Sequence, residues 1–580
     1  MRSGFIVCSI VALLGVMALG PWFTPLWLLG LIVVPLVVLG AIDMNQTEHS
    51  LRRNFPLVGR GRWLMETVRP FVRQYFIESE TDGAPVARMF RSVVYQRAKG
   101  ASDTVPFGTK VDTYRDGYEW IGHSIAAIDL HGIEDRAEDD DSSGTGKVRA
   151  TVDGTQVQSP SGSSQVGGPR VLVGGAACTQ PYSASLLNIS AMSFGSLSPN
   201  AILALNGGAH DGRFAHNTGE GGLSRFHLEH GGDLIWQIGT GYFGCRDENG
   251  RFEPEQFART AANESVRMIE IKISQGAKPG HGGILPAIKN TAMIAEARGV
   301  EPGTLVASPP AHSSFGTPLE LLAFVARLRE LSGGKPVGFK LCVGRESEFV
   351  AICKAMVQTG IRPDFITVDG GEGGTGAAPL EFCNSVGMPL RDGLAFVCDC
   401  LSGFEIKGDI RVIAVGKVFT AFHMVRNLAL GADLCYSARG FMMSLGCVQS
   451  LLCNTNHCPT GVATQDPGLQ AGLVVGDKRT RVARFHRETL QTLAEIVAAA
   501  GLRSARDLNR THVYRRVSQQ SVKRYDELFP YTDVGSLLEE PWPRRFQQQM
   551  AEARAGSFAP DSTMARYGTG IHELDAPASA

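Results

Sequence analysis

The chain has 580 residues and a formal net charge of −1. That length accommodates one large domain with additions, and the balanced charge excludes a surface devoted to nucleic acid, which needs a clear basic excess. The 12 cysteines are too sparse for a disulfide scaffold, whereas the 68 glycines gather in short motifs, as they do where backbone turns tightly or approaches a ligand.

The N-terminus is apolar, with no charged residue between Arg2 and Asp43. A single helix of that length would run about 60 Å, twice the ~30 Å hydrocarbon thickness of a bilayer. Gly20-Pro21-Trp22-Phe23-Thr24-Pro25 interrupts it, with prolines that stop helix and aromatics suited to the interface. The pattern predicts two spans, 4–20 and 25–42, forming a transmembrane hairpin within 1–44. Arg2 precedes the hairpin, and Arg52, Arg53, Arg60 and Arg62 follow it. Both ends should then be cytoplasmic, with the catalytic domain on the cytoplasmic side of the inner membrane. A cleaved signal peptide over the first span is the alternative. Residues 45–169 read as a connecting region that packs under the next domain and ties it to the membrane. Its acidic run, Glu134 to Asp141, followed by Ser, Gly and Thr, predicts a solvated flexible loop without calcium-ligand spacing.

From about residue 171 short apolar runs alternate with helical stretches. Strands are expected at 186–189, 214–217, 234–238, 268–273, 337–341, 365–368, 412–415 and 434–436, with a further run at 304–307. Alternating strands and helices indicate parallel βα units. Eight units with one insertion suit an α/β fold of the (β/α)8 TIM-barrel type over 170–475, an open doubly wound sheet being the alternative. Residues 476–580 read as a helical, polar extension. The glycine-rich and polar motifs follow the strands, so in a barrel they converge on one mouth.

Three signals there carry chemistry. Cys447, Cys453 and Cys458 are spaced C-x5-C-x4-C and closed by Pro459. Thiolates in such a group suit iron–sulfur clusters or zinc, with three thiolates matching a three-iron centre and His457 the fourth ligand of a zinc alternative. Asp369 to Gly376 follows the sixth strand, and its glycine amides can cradle a phosphate, completed by Gly416-Lys417 and Ala438-Arg439-Gly440 after the seventh and eighth. Lys340, in the apolar run Val337–Leu341, needs an anionic partner if buried and suits the N1–C2=O edge of a reduced flavin. Lys272 alternates similarly within its strand. Lys278 is placed to meet a substrate carboxylate, Glu220 sits between glycines, and His281 and His312 read as loop residues.

The motifs Ser190–Ser198, Asn217–Gly222, Gln275–Gly280 and Cys458–Gln465 resemble, in order over roughly 170–470, the synthase domain of glutamate synthase. The arrangement is similar to stand-alone FMN-binding members of that family with membrane-spanning N-termini. The resemblance implies an FMN-dependent oxidoreductase with a 3Fe-4S cluster on Cys447, Cys453 and Cys458. In that family 2-oxoglutarate and ammonia give 2-iminoglutarate, which is reduced to glutamate. It further implies FMN contacts from Ser190, Met192, Ser193, Lys340, Gly371, Gly373, Gly374, Thr375, Gly416, Lys417 and Arg439. Substrate contacts would come from Gln275 and Lys278, and catalytic roles from Glu220, Lys278 and Lys340.

Several features depart from the family pattern. The sequence starts Met1-Arg2-Ser3 rather than with a glutaminase cysteine, so the expected nitrogen source is free ammonia, an amine or a partner glutaminase. No Rossmann fingerprint is evident, so electrons are expected from an external donor such as ferredoxin or a reductase subunit. The loop Ser308-Pro309-Pro310-Ala311-His312 lacks the family's His-His-Asp, which leaves open an N-substituted glutamate product or a non-catalytic electron-transfer subunit. A homo-oligomer is also left open.

Overall fold

The computed structural model describes residues 2–129, 168–276 and 282–561. The acidic run at 134–141, Lys278 and His281 lie outside the described residues. The chain divides into two units, Met1–Arg88 and Met89–Ala580.

In the first unit, helices Arg2–Leu19 and Leu26–Asn45 are both long and apolar enough to cross a membrane. They pack closely at Gly40, where a Cβ would fall 2.0 Å from the Phe5 ring. The second helix ends at a polar knot. The Asp43 carboxylate, fully buried, pairs with Arg52 and Arg60 at 2.8 Å each and accepts the Leu57 amide at 3.2 Å. A buried carboxylate is tolerated only with such partners. Arg60 then opens a helix, Arg60–Val72, that continues as a π turn over Arg73–Ile77. Residues 45–88 therefore belong with the hairpin, while 89–129 belong with the barrel.

The second unit is built on a closed eight-stranded parallel barrel. Its strands are β1 (Leu187–Ile189), β2 (His216–Asn217), β3 (Leu234–Ile238), β4 (Val266–Lys272), β5 (Val337–Cys342), β6 (Phe365–Asp369), β7 (Arg411–Val415) and β8 (Leu434–Ser437), in sequential order with β8 closing on β1. All eight match expected runs; apart from β2, whose His216 and Asn217 are polar though buried, each is a mainly apolar stretch buried between helices and lumen. The further run lies outside the barrel: Val306–Ala307 pairs antiparallel with Ile284–Leu285. In register, Lys340 on β5 stands beside Lys272 on β4 and Thr367 on β6.

Ser198 and Thr317 cap the helices Pro199–Gly212 and Pro318–Leu331, accepting the amides of Ala201 and Glu320. The helix Val475–Ala499 lies against Pro199–Gly212, where Gly208 leaves room for Val482. The C-terminal region is not wholly helical. Val513–Ser518 and Ser521–Arg524 form a hairpin, and Glu119–Ile121 adds to it as a third antiparallel strand. Glu119 locks this sheet to the barrel helices through Arg391 and Arg426, and it accepts the Tyr525 hydroxyl from the short helix after the hairpin.

Candidate active site

The strand C-terminal ends form one mouth. Lys340 projects there from β5, and its Nζ lies 3.1 Å from Asp369 Oδ2 at the end of β6. The same oxygen accepts the Gly276 amide at 3.0 Å. Burial opposes the Lys340 ammonium, but Asp369 and Glu270 outweigh it and hold its pKa above the ordinary lysine value. Beneath it, the buried Glu270 carboxylate accepts from Asn217 (2.9 Å), Gln237 (2.6 Å) and Thr367 (2.7 Å). Sequence reasoning passed over Glu270. Its signal was the one that flagged Lys340, a charged residue inside an apolar run.

The neighbouring lysine points to a different carboxylate. Lys272 Nζ lies 2.7 Å from Glu220 Oε1. Its carbonyl accepts His312 Nε2 at 2.8 Å, while His312 Nδ1 meets the Tyr242 hydroxyl at 3.0 Å and that oxygen accepts the Ser314 amide. The Lys272 carbonyl can only accept, which fixes Nε2 as the protonated nitrogen and Nδ1 as the acceptor of Tyr242. Burial pushes the ring down to about 4, so it is a neutral positioning group.

Ser190, Gln275, Lys340, Gly373, Gly374, Gly416, Lys417 and Arg439 line one cavity at this mouth. Met192 and Ser193 lie beside it, packed against Gly219, where a Cβ would meet the Ser193 amide at 2.7 Å. Thr375 is exposed. The Gly371 amide donates to the Met388 carbonyl at 2.7 Å and serves the turn. Two larger cavities, about 330 and 710 Å³, open instead at the strand N-terminal ends. Charges there are paired, as in Lys407–Asp433 and Arg267–Asp233, consistent with the stabilising face of a barrel.

A phosphate fits the cradle. Burial and the neighbouring Arg439 push the Lys417 ammonium below its usual value, and burial pushes the Arg439 guanidinium down as well. Neither forms an ion pair with a carboxylate among the described residues, because Glu372 is engaged with the Leu390 amide (3.0 Å). A dianion between these cations would relieve both. Gly374 leaves its space open, since a Cβ there would lie 2.7 Å from Arg439 Cζ.

The cysteine loop abuts the glycine loop, with a Cβ at Gly376 falling 3.0 Å from Cys453 Cβ. Burial pushes the Cys447 thiol up to about 11, with added repulsion from Cys453 and Cys458. Burial would raise Cys458 too, but the Thr460 hydroxyl and the amides of Ala463, Thr460 and Val462 outweigh it and favour its thiolate. Gln449, Leu451 and Asn456 all take left-handed backbone conformations, a strain that persists only where the surroundings fix the loop. Lys289, which no motif marked, is buried beneath it and donates to the carbonyls of Ser196 (2.8 Å), Cys453 (3.2 Å) and Ala463 (3.2 Å). Among the described residues no three His, Cys, Asp or Glu side chains are set around a single metal ion. As a donor set, three thiols on one loop suit a centre that takes one thiolate per iron.

Residues 176–503 match the family model for the conserved region in glutamate synthase. A glutamate synthase large subunit-like protein, YerD of Bacillus subtilis, is 36% identical over 526 residues, spanning 87% of this chain and 97% of that protein. An archaeal-type glutamate synthase (NADPH) of Thermotoga neapolitana is 32% identical over 320 residues, spanning 55% of this chain and 60% of that protein. Among solved structures a mandelate oxidase aligns with a TM-score of 0.38 at 12% identity, over 80% of this chain and 96% of that one. The chain belongs to the glutamate synthase family and is an oxidoreductase of the glutamate synthase type.

Proposed function

We propose that the chain forms glutamate, or an N-substituted glutamate, by reducing the imine of 2-oxoglutarate with ammonia or an amine. The observation that carries this reading is the Lys340–Asp369 pair at the barrel mouth, beside the Lys417 and Arg439 cations. Condensation of the amine with the keto group releases water; a hydride on the imine carbon and a proton on its nitrogen complete the product. FMN, when bound, supplies that hydride. Lys417, Arg439, Gly373 and Gly374 would hold its phosphate, and Lys340 would stabilise negative charge at its pyrimidine edge. Gln275, together with Lys278, would orient the oxoacid. Glu220, paired with Lys272, would hold or relay a proton.

Cys447, Cys453 and Cys458 would hold a 3Fe-4S cluster. Lys289 supports that reading, since a buried cation under the loop favours an anionic centre. Contact between Gly376 and Cys453 supports passage of electrons from an external donor through the cluster toward the flavin loop. The two apolar helices support anchoring in the cytoplasmic membrane. The departure at 308–315, with His312 locked onto Tyr242 and Lys272, favours keeping a larger amine as the second reading.

Product analysis tests both. The purified protein, with a chemically reduced electron donor and 2-oxoglutarate, should yield glutamate from ammonia or N-methylglutamate from methylamine. A flavin spectrum that ignores 2-oxoglutarate, with neither product formed, would leave only an electron-transfer role and overturn the proposal.

A further inference from the structure

Among the described residues, the helix that follows the hairpin, Arg60–Val72 with its π turn to Ile77, leaves its apolar face exposed. Leu64, Val68, Phe71, Val72 and Tyr75 fall at helical spacing on one side. They are all exposed, Leu64 at 59% and Phe71 at 51%. Arg62, Glu66, Arg69 and Arg73 repeat at the same spacing on the opposite side. Contiguous apolar exposure of this extent needs a covering phase.

The knot at Asp43 says which phase. Asp43 lies in the last turn of the second apolar helix and grips Arg60, the first residue of the amphipathic one. The Trp63 ring lies against His49 (4.9 Å) and beneath the Arg52 guanidinium (6.0 Å). The start of the amphipathic helix is thus clamped where the hairpin leaves the hydrocarbon. Its aromatic residues and its arginine-rich polar face match the composition of helices lying at that depth. Arg62 and Arg69 form no ion pair with a described residue, and they outnumber Glu66 on their face.

We propose that residues 60–77 form an interfacial helix lying in the plane of the membrane, its apolar face among the upper acyl chains and its arginines toward anionic headgroups. This rests on the reading of 2–45 as a membrane hairpin and goes beyond it. The hairpin sets where the chain crosses, and the helix lets the enzyme sense the lipid charge of the leaflet on which it sits.

Spin labels on the full chain test this, with the exposed Cys8 and Cys383 replaced by serine. The labels are placed singly at Val11→Cys, Leu64→Cys and Arg69→Cys. The bilayers are phosphatidylcholine with and without phosphatidylglycerol. The label at 64 should collide with oxygen several-fold more than with a water-soluble nickel chelate, and the label at 69 the reverse. Phosphatidylglycerol should sharpen the contrast. If 64 and 69 are equally open to nickel while 11 stays in the hydrocarbon, the interfacial helix is wrong and the hairpin stands. If 11 is also open to nickel, the membrane reading falls and the helix assignment with it. Shielding of 64 from both reagents, in detergent as in lipid, would reveal a protein occupant and overturn the proposal.

Discussion

Lys340 Nζ and Asp369 Oδ2 stand 3.1 Å apart across β5 and β6, and the Asp369 carboxylate also fastens the Gly276 amide of the loop after β4. The pair therefore holds three successive barrel units at one point. Because the folded pKa of Lys340 lies above its unfolded value, its stabilising contribution is complete below the ordinary lysine pKa and is lost only as pH rises through the folded one. Lys340 stays charged throughout the neutral range. Lys340→Met should retain the fold and lower turnover about 10²- to 10³-fold, the scale of removing one preorganised electrostatic group. Steady-state rates would check this, together with a reductive titration of the flavin. A variant reducing its flavin at an unchanged potential would refute the role.

The cradle predicts phosphate-dependent retention. Gly374→Ala forces a methyl against Arg439 and should release FMN on gel filtration, as should Arg439→Met. Riboflavin, lacking the phosphate, should bind both variants and the native protein about equally weakly. Fluorescence of the filtrate measures each case.

Cys453→Ser should lower iron and sulfide and abolish electron flow from the external donor to FMN, since serine is a harder, poorer ligand. Cys398, buried with its thiol pushed up to about 12, lies at the opposite end of the barrel, so Cys398→Ser should keep the cluster. Lys289→Met should weaken the cluster without removing a ligand. Iron analysis and low-temperature paramagnetic resonance decide; a native protein purified anaerobically with zinc or no iron would defeat the assignment.

Acid should destabilise the protein early. Burial pushes His227 and His486 down to about 3 and His312 to about 4. Each group's folded pKa lies below its unfolded 6.5, so the folded state binds fewer protons. Stability is whole above pH 6.5 and is lost as pH falls toward the folded values, by about 2 kcal/mol per ring at pH 5. Calorimetry should show the melting temperature dropping between pH 6.5 and 5; a flat profile would contradict this.

Carbonate-washed membranes should retain the full chain through its hairpin. Recovery of the intact protein in the supernatant would exclude the anchor.

The barrel was legible because most of its strands are short apolar runs punctuated by glycine motifs. Lys340 was legible because a lysine among Val337, Phe339 and Leu341 has no cheap place to go. Its partner was not, because the register that brings Lys340 beside β6 is set by barrel closure rather than by local pattern. Lys289 escaped for a related reason, since its partners are carbonyls from three distant segments. Asp43 read as the mere end of an apolar run, although it gathers Arg52, Leu57 and Arg60. The hairpin at 513–524 was missed because arginines dilute its alternation and its third strand lies near residue 120.

The contact between Gly376 and Cys453 bears on how the enzyme matures in the cell. On the proposed reading the two abutting loops would hold cluster and flavin side by side, so a chain starved of iron would be left with an unbraced wall beside its flavin. Nutritional shortage of the metal would then appear first as colourless, flavin-poor protein, and iron repletion alone would restore the yellow.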